Sequence, residues 1–249
     1  MNWFLRLSSP VQGLIATLFT WALTAFGASP VFLVKKSTDR LLCAMGGLAS
    51  GVMLAASYFS LLAPALVSAD AQGLPAWLML GAGFFLGGIG IYLVDALMQR
   101  RAETQKSNFL LILSMTLHNI PEGMAVGVAF GAGDPASACL LALGIGLQNL
   151  PEGSAISLPL CSGGYSRGKA FFVGQLTGAV EPVFGFLGAL LVAQCMPLMP
   201  FFLSFASGAM IYVVISELIP ESHGISRTVS SFFTILGFLI MMLLDVALG

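Results

Sequence analysis

The chain has 249 residues, of which 57% are hydrophobic and 8% are charged, with a formal net charge of −1. Soluble domains carry about 25% charged residues, so this chain lacks the polar surface to face water all round, and it has no basic patch for nucleic acid. Its four cysteines, Cys43, Cys139, Cys161 and Cys195, form no Cys-x-x-Cys pair and read as small core hydrophobes rather than ligands or a disulfide.

Apolar runs predict an all-α polytopic membrane protein, a single domain over 1–249, with eight transmembrane helices near 11–34, 41–68, 75–98, 108–131, 136–160, 169–193, 198–220 and 228–248. At about 1.5 Å per residue each is long enough for a bilayer core of roughly 30 Å. The first run is a true membrane helix rather than a signal peptide, because Lys35, Lys36 and Arg40 follow it instead of preceding it. Those three residues lie between segments one and two. Arg100, Arg101 and Lys106 lie between three and four, Arg167 and Lys169 precede six, and Arg227 precedes eight. Nine of the ten basic residues therefore fall on one side, while the opposite loops hold Asp70 and Asp134. The positive-inside rule makes the basic side cytoplasmic and places both termini outside. Small-xxx-small pairs at Gly47 and Gly51, Gly83 and Gly87, Gly127 and Gly131, and Gly174 and Gly178 predict close helix packing within one bundle; a dimer face is the sharper alternative.

Segments four and five carry the chemistry. His118-Asn119-Ile120-Pro121-Glu122-Gly123 recurs as Gln148-Asn149-Leu150-Pro151-Glu152-Gly153. A carboxylate at the membrane centre costs roughly 2.5–3.5 kcal/mol on insertion scales, so two such placements need a reason. His118 and Glu122 are four apart and share one helix face, and Gln148 and Glu152 repeat the arrangement. The short link around Asp134 and Pro135 makes the two helices antiparallel neighbours whose polar faces converge. Imidazole nitrogen, amide oxygen and carboxylate form a mixed ligand set for a divalent metal. Pro121 and Pro151 withdraw the helix partners of the Leu117 and Leu147 carbonyls, a break tolerated at membrane depth only inside protein or beside a cavity. Gly123 and Gly153 are expected to leave room there.

Glu181-Pro182 is a third carboxylate–proline pair in an apolar run. Three carboxylates gathered in a low-dielectric site need cations or protons to balance them, so metal binding is expected to release protons. Asp95, near the end of segment three, and Glu217, Glu221 and His223, at the end of segment seven, are either a cytoplasmic exit site or solvated helix ends. Asp245 is expected to reach interfacial water. Met53 and Ser60, seven apart, share a face and read as core residues from spacing alone. A zinc hydrolase is disfavoured, since the chain has two histidines and no His-Glu-x-x-His.

The paired motifs on the fourth and fifth of eight helices resemble the ZIP (Zrt/Irt-like) family of divalent-metal transporters. Short loops and the run Gly51-Val52-Met53-Leu54-Ala55-Ala56-Ser57 resemble its bacterial GufA-like branch. The resemblance implies a multi-pass transporter of the bacterial inner membrane that is not an enzyme. It implies a binuclear site between helices four and five, with up to two substrate ions: zinc first, and also cadmium, iron, manganese or cobalt. By motif, His118, Glu122, Gln148 and Glu152 line the first metal position with Met53 nearby. Asn119, Asn149 and Glu181 complete the second, bridged by Glu122 and Glu152, and Ser60 lies on the entrance path. Two sliding helix groups and a homodimer in the lipid bilayer are further implications. Many members carry His where Gln148 stands and an acid where Asn149 stands; an amide oxygen is a weaker zinc ligand than imidazole. A selective metal channel and an intramembrane metalloenzyme remain the alternative readings.

Overall fold

The computed structural model describes residues 3–33, 39–102 and 107–248, and in this range it contains helices and no strands. The elements are α1 (Ser9–Ala28), α2 (Asp39–Ala56), α3 (Ala63–Ala71), α4 (Ala76–Ala102), α5 (Ser107–Gly131), α6 (Pro135–Ser162), α7 (Arg167–Leu176), α8 (Glu181–Gln194), α9 (Met199–Val213) and α10 (Ile219–Leu248). Within the described residues, five stretches are long and apolar enough to cross a membrane: Ser9–Phe32, Asp39–Ala71, Ala76–Leu97, Arg167–Gln194 and Met196–Ala247. The last is 52 residues long and bends at Ser226, whose φ of −158° and ψ of 104° leave the helix.

The interruptions fall away from the motif prolines. Helix assignment runs unbroken through Pro121 in α5 and through Pro151 in α6. Wide π turns instead join α2 to α3 at Ser57–Leu62 and α9 to α10 at Val214–Leu218. A tight 3-10 turn at Thr177–Val180 separates α7 from α8. Pro182 sits in the first turn of α8, where its missing N–H costs nothing. The predicted loop 221–227 is itself helical up to the bend at Ser226. Cys43 helps to hold that bend, its thiol donating to the carbonyls of Ser222 and Ser226 at 3.3 and 3.1 Å. Chain reversals use glycine where φ must be positive, as at Gly133 (91°) and Gly164 (98°). After Gly133, Asp134 caps α6 by accepting from the Ala136 N–H at 3.1 Å, with Pro135 opening the helix.

Packing sorts the helices into two groups. The first holds α1, α5, α6, α7 and α8, and the second holds α2, α3, α4, α9 and α10. They meet where α2 and α10 cross α6, and where α5 crosses α9. A buried seam of Met53, Val126, Ile145, Leu203, Met210 and Met241 fills that crossing. The small-residue pairs work inside each group. A Cβ at Gly51 would lie 2.0 Å from the Thr234 carbonyl oxygen, at Gly87 1.9 Å from that of Phe205, and at Gly127 2.0 Å from that of Gly185. Helix backbones therefore touch at these points, and only glycine fits.

Candidate metal centre

Two crossings build the site. In the first, α5 lies against the start of α8: a Cβ on Gly123 would sit 2.5 Å from the Glu181 carbonyl oxygen. In the second, α1 lies against α6: a Cβ on Gly153 would sit 2.2 Å from the Thr24 carbonyl oxygen, and one on Gly27 2.2 Å from that of Leu150. The motif glycines are thus contact points between backbones, where the sequence suggested open room beside a proline break. Each contact presses a carboxylate-bearing turn against a neighbouring helix.

The result is a polar cluster closed to solvent. Asn119, Glu122, Gln148, Asn149, Glu152 and Glu181 are all at most 2% exposed, as are Thr20 and Thr24 of α1. Gln148 donates its amide N–H to Glu122. Asn119 donates to the Met115 carbonyl at 2.7 Å. Asn149 donates to both carboxylate oxygens of Glu181, at 3.0 and 3.2 Å, and to the Thr20 carbonyl at 3.1 Å. Thr20 donates its hydroxyl to Glu181, and Thr24 stands 3.5 Å from the other carboxylate oxygen. Glu181 also feels the like charges of Glu122 and Glu152, so the three carboxylates share one electrostatic site.

With their nitrogens committed, the amide oxygens of Asn119, Gln148 and Asn149 are buried with no hydrogen-bond partner among the described residues. An unsatisfied buried acceptor costs about 1–3 kcal/mol. Three together, beside carboxylates, form an acceptor-only lining that suits a cation. Among the described residues, no group of three His, Cys, Asp or Glu side chains is close enough to hold a metal by itself, so the amide oxygens matter to any ligand set. The side chain of His118 lies outside the described residues. Met53 is fully buried in the seam on the second group.

Cavities lie on both sides of this cluster. One of about 60 Å³ is lined by Glu152 and Pro151 of α6, Met45 and Gly46 of α2, and Glu221 and Ser222 of α10. It brings Glu221 to the motif glutamate. Asp95 accepts from Tyr212 at 2.9 Å and does not line this cavity, nor do Glu217 and His223; His223 lies 3.4 Å from the Ser231 hydroxyl. A second cavity of about 470 Å³ lies at the acidic-loop end, lined by Ser60, Asp134 and Asp245 among others. Ser60 donates to Asp245 at 2.8 Å, so Asp245 is half-buried beside the π turn that leads to α3 while lining this cavity. The hydrogen bond from Ser137 holds the Asp134 carboxyl below the usual carboxylate range, against an opposing effect of burial.

Thr20 and Thr24 are the polar partners that the sequence motifs do not announce. Threonine in an apolar helix usually bonds its own preceding turn, as Thr17 does with the Gly13 carbonyl at 2.7 Å. The available signal was their spacing: 17, 20 and 24 fall on one face of α1.

Residues 101–245, which include both motifs, match the family described as ZIP Zinc transporter. The chain belongs to the ZIP family. Zinc transporter ZIP11 of Bos taurus is 38% identical, with 97% of this chain and 98% of that protein aligned. Zinc transporter GufA of Myxococcus xanthus is also 38% identical, over 95% of this chain and 99% of its own length. Zinc transporter ZIPB of Bordetella bronchiseptica is 35% identical over 92% of this chain and 79% of its own. This ZIP chain is thus a helical integral membrane protein of a transporter family, related along nearly its whole length to the GufA-like branch, and it is not an enzyme.

Proposed function

We propose that the chain carries divalent metal cations, zinc foremost, across the membrane into the cytoplasm. The observation that carries this reading is the closed cluster in which Glu122, Glu152 and Glu181 meet three amide oxygens that have no donor among the described residues. Glu122, Glu152 and Gln148, with His118, are assigned to the transported ion, and Met53 packs nearby. A carboxylate-rich site with amide oxygens also admits cadmium, iron, manganese and cobalt. The ion enters from the acidic-loop side past Asp245 and Ser60, and leaves past Glu152 and Glu221.

Eight transmembrane helices, with both termini outside and the protein a dimer in a bacterial inner membrane, complete the proposal. The split into two helix groups supports alternating access: the first group carries the ligands, and the second supplies a wall along which it slides. Purified protein in liposomes tests this. Saturable zinc uptake that slows steeply on cooling is expected. Uptake that is absent refutes transport, and uptake that neither saturates nor slows makes the path a channel.

A further inference from the structure

The half of the site around Glu181 is already occupied by the protein's own donors. The Asn149 amide nitrogen faces both oxygens of Glu181, at 3.0 and 3.2 Å. That is the mouth of the carboxylate, where a chelated cation would sit. The orientation of this amide is fixed by a third acceptor. The Thr20 carbonyl, 3.1 Å away, can only accept, so the nitrogen and not the oxygen must face it. Thr20 then closes the remaining side of Glu181 with its hydroxyl. One threonine thus holds both partners, its carbonyl taking the asparagine and its hydroxyl the glutamate.

The Glu181 charge is met by charge-assisted hydrogen bonds from two residues. The charges of Glu122 and Glu152 add to −2, which one divalent cation neutralises. A second divalent ion would have to displace the Asn149 amide from both oxygens of Glu181. We infer that Asn149 fills the place of a second cation, so that this chain holds one divalent ion at its membrane site, with Glu181, Asn149 and Thr20 as positioning residues that lock α1, α6 and α8 together. The inference rests on the transport reading above and narrows it, since the family resemblance implies a second ion on Asn119, Asn149 and Glu181.

Zinc stoichiometry tests it. Purified protein in nanodiscs is brought to equilibrium with zinc by dialysis, and bound metal is measured by elemental analysis. Sites elsewhere on the chain are removed by subtracting the value for the Glu122→Ala, Glu152→Ala double variant. The wild type is expected to hold one zinc above that background. Glu181→Gln, which keeps an oxygen to accept from Asn149 and Thr20, is expected to hold one as well at saturating zinc. Asn149→Asp places a second carboxylate against Glu181 and is expected to hold two. Two ions in the wild type, falling to one in Glu181→Gln, would overturn the inference and leave the transport reading intact. A wild-type value equal to the double-variant background would overturn the transport reading itself.

Discussion

The two helix groups are built alike and equipped differently. Inside each, helices touch backbone to backbone at glycine: Gly27 on Leu150 and Gly127 on Gly185 in the first, Gly51 on Thr234 and Gly208 on Phe84 in the second. Among the described residues, none of these glycine contacts joins the backbones of different groups. Across the seam, Gly144 of α6 meets the thioether of Met241 in α10, at 2.3 Å from a built Cβ to the sulfur. Each group is therefore welded internally, while flexible side chains fill the space between them. The polar cluster belongs to the first group alone, through α1, α5, α6 and α8. The second offers Met53, two π turns and apolar wall. The difference teaches where a moving part could be: a boundary of side chains can slip, and a boundary of interlocked backbones cannot.

The largest effects should come from breaking a weld. Gly87→Ala and Gly127→Ala each set a methyl group within 2.0 Å of a carbonyl oxygen. Each is expected to cost more than about 3 kcal/mol, beyond ordinary overpacking, and to abolish the folded peak in detergent size-exclusion chromatography. Survival of both with unchanged melting temperature would dissolve the distinction between weld and seam. Next in size is a change inside the ligand-bearing group. Gln148→His replaces an amide with imidazole and should raise the preference for zinc over manganese by about tenfold, read by competition for radiolabelled zinc. Affinity for zinc should also fall as pH falls, because protons compete with metal for the carboxylates; titration calorimetry in buffers of different ionisation enthalpy should register proton release on binding.

Changes in the wall and the seam should matter least. Met53→Leu conserves volume and should cost less than about 1.5 kcal/mol, with uptake within about threefold of wild type. A far larger loss of uptake in a stable variant would move Met53 from wall to ligand. Gly144→Ala pushes only on the far end of a flexible methionine and should shift stability by about 1 kcal/mol or less. If Gly144→Ala proved as damaging as Gly87→Ala, the seam would be a weld too.

The sequence made the helical architecture and the core of the site readable, because both rest on strong local signals. Long apolar runs mark helices, and a glutamate repeated beside proline in such a run is too costly to persist without a buried partner or a cation. Glycine pairs marked the crossings, although the sequence could not say which helix each one faced. What was not readable depends on contacts distant in the chain. Thr20 meets Glu181 from 161 residues away, and the threonine spacing in α1 marks a face without naming its partner. The prolines suggested breaks at Pro121 and Pro151, but both helices continue there. The real interruptions at Ser57–Leu62 and Val214–Leu218 lie just before Pro64 and Pro220, which withdraw the helix partners of the Ser60 and Ser216 carbonyls, and the one at Ser226 follows Gly224; these signals stand outside the repeated motifs. Tertiary hydrogen bonds add to this, such as that from Ser207 to the Ser57 carbonyl at 2.9 Å.

The central claim is that Glu122 and Glu152 of the first group hold the transported ion. Zinc uptake into liposomes, measured side by side for wild type, Glu122→Ala and Glu152→Ala at equal amounts of folded protein, tests it most directly. The account predicts saturable uptake by the wild type and a loss of more than about 100-fold in each variant. Uptake by either variant close to that of the wild type would contradict it.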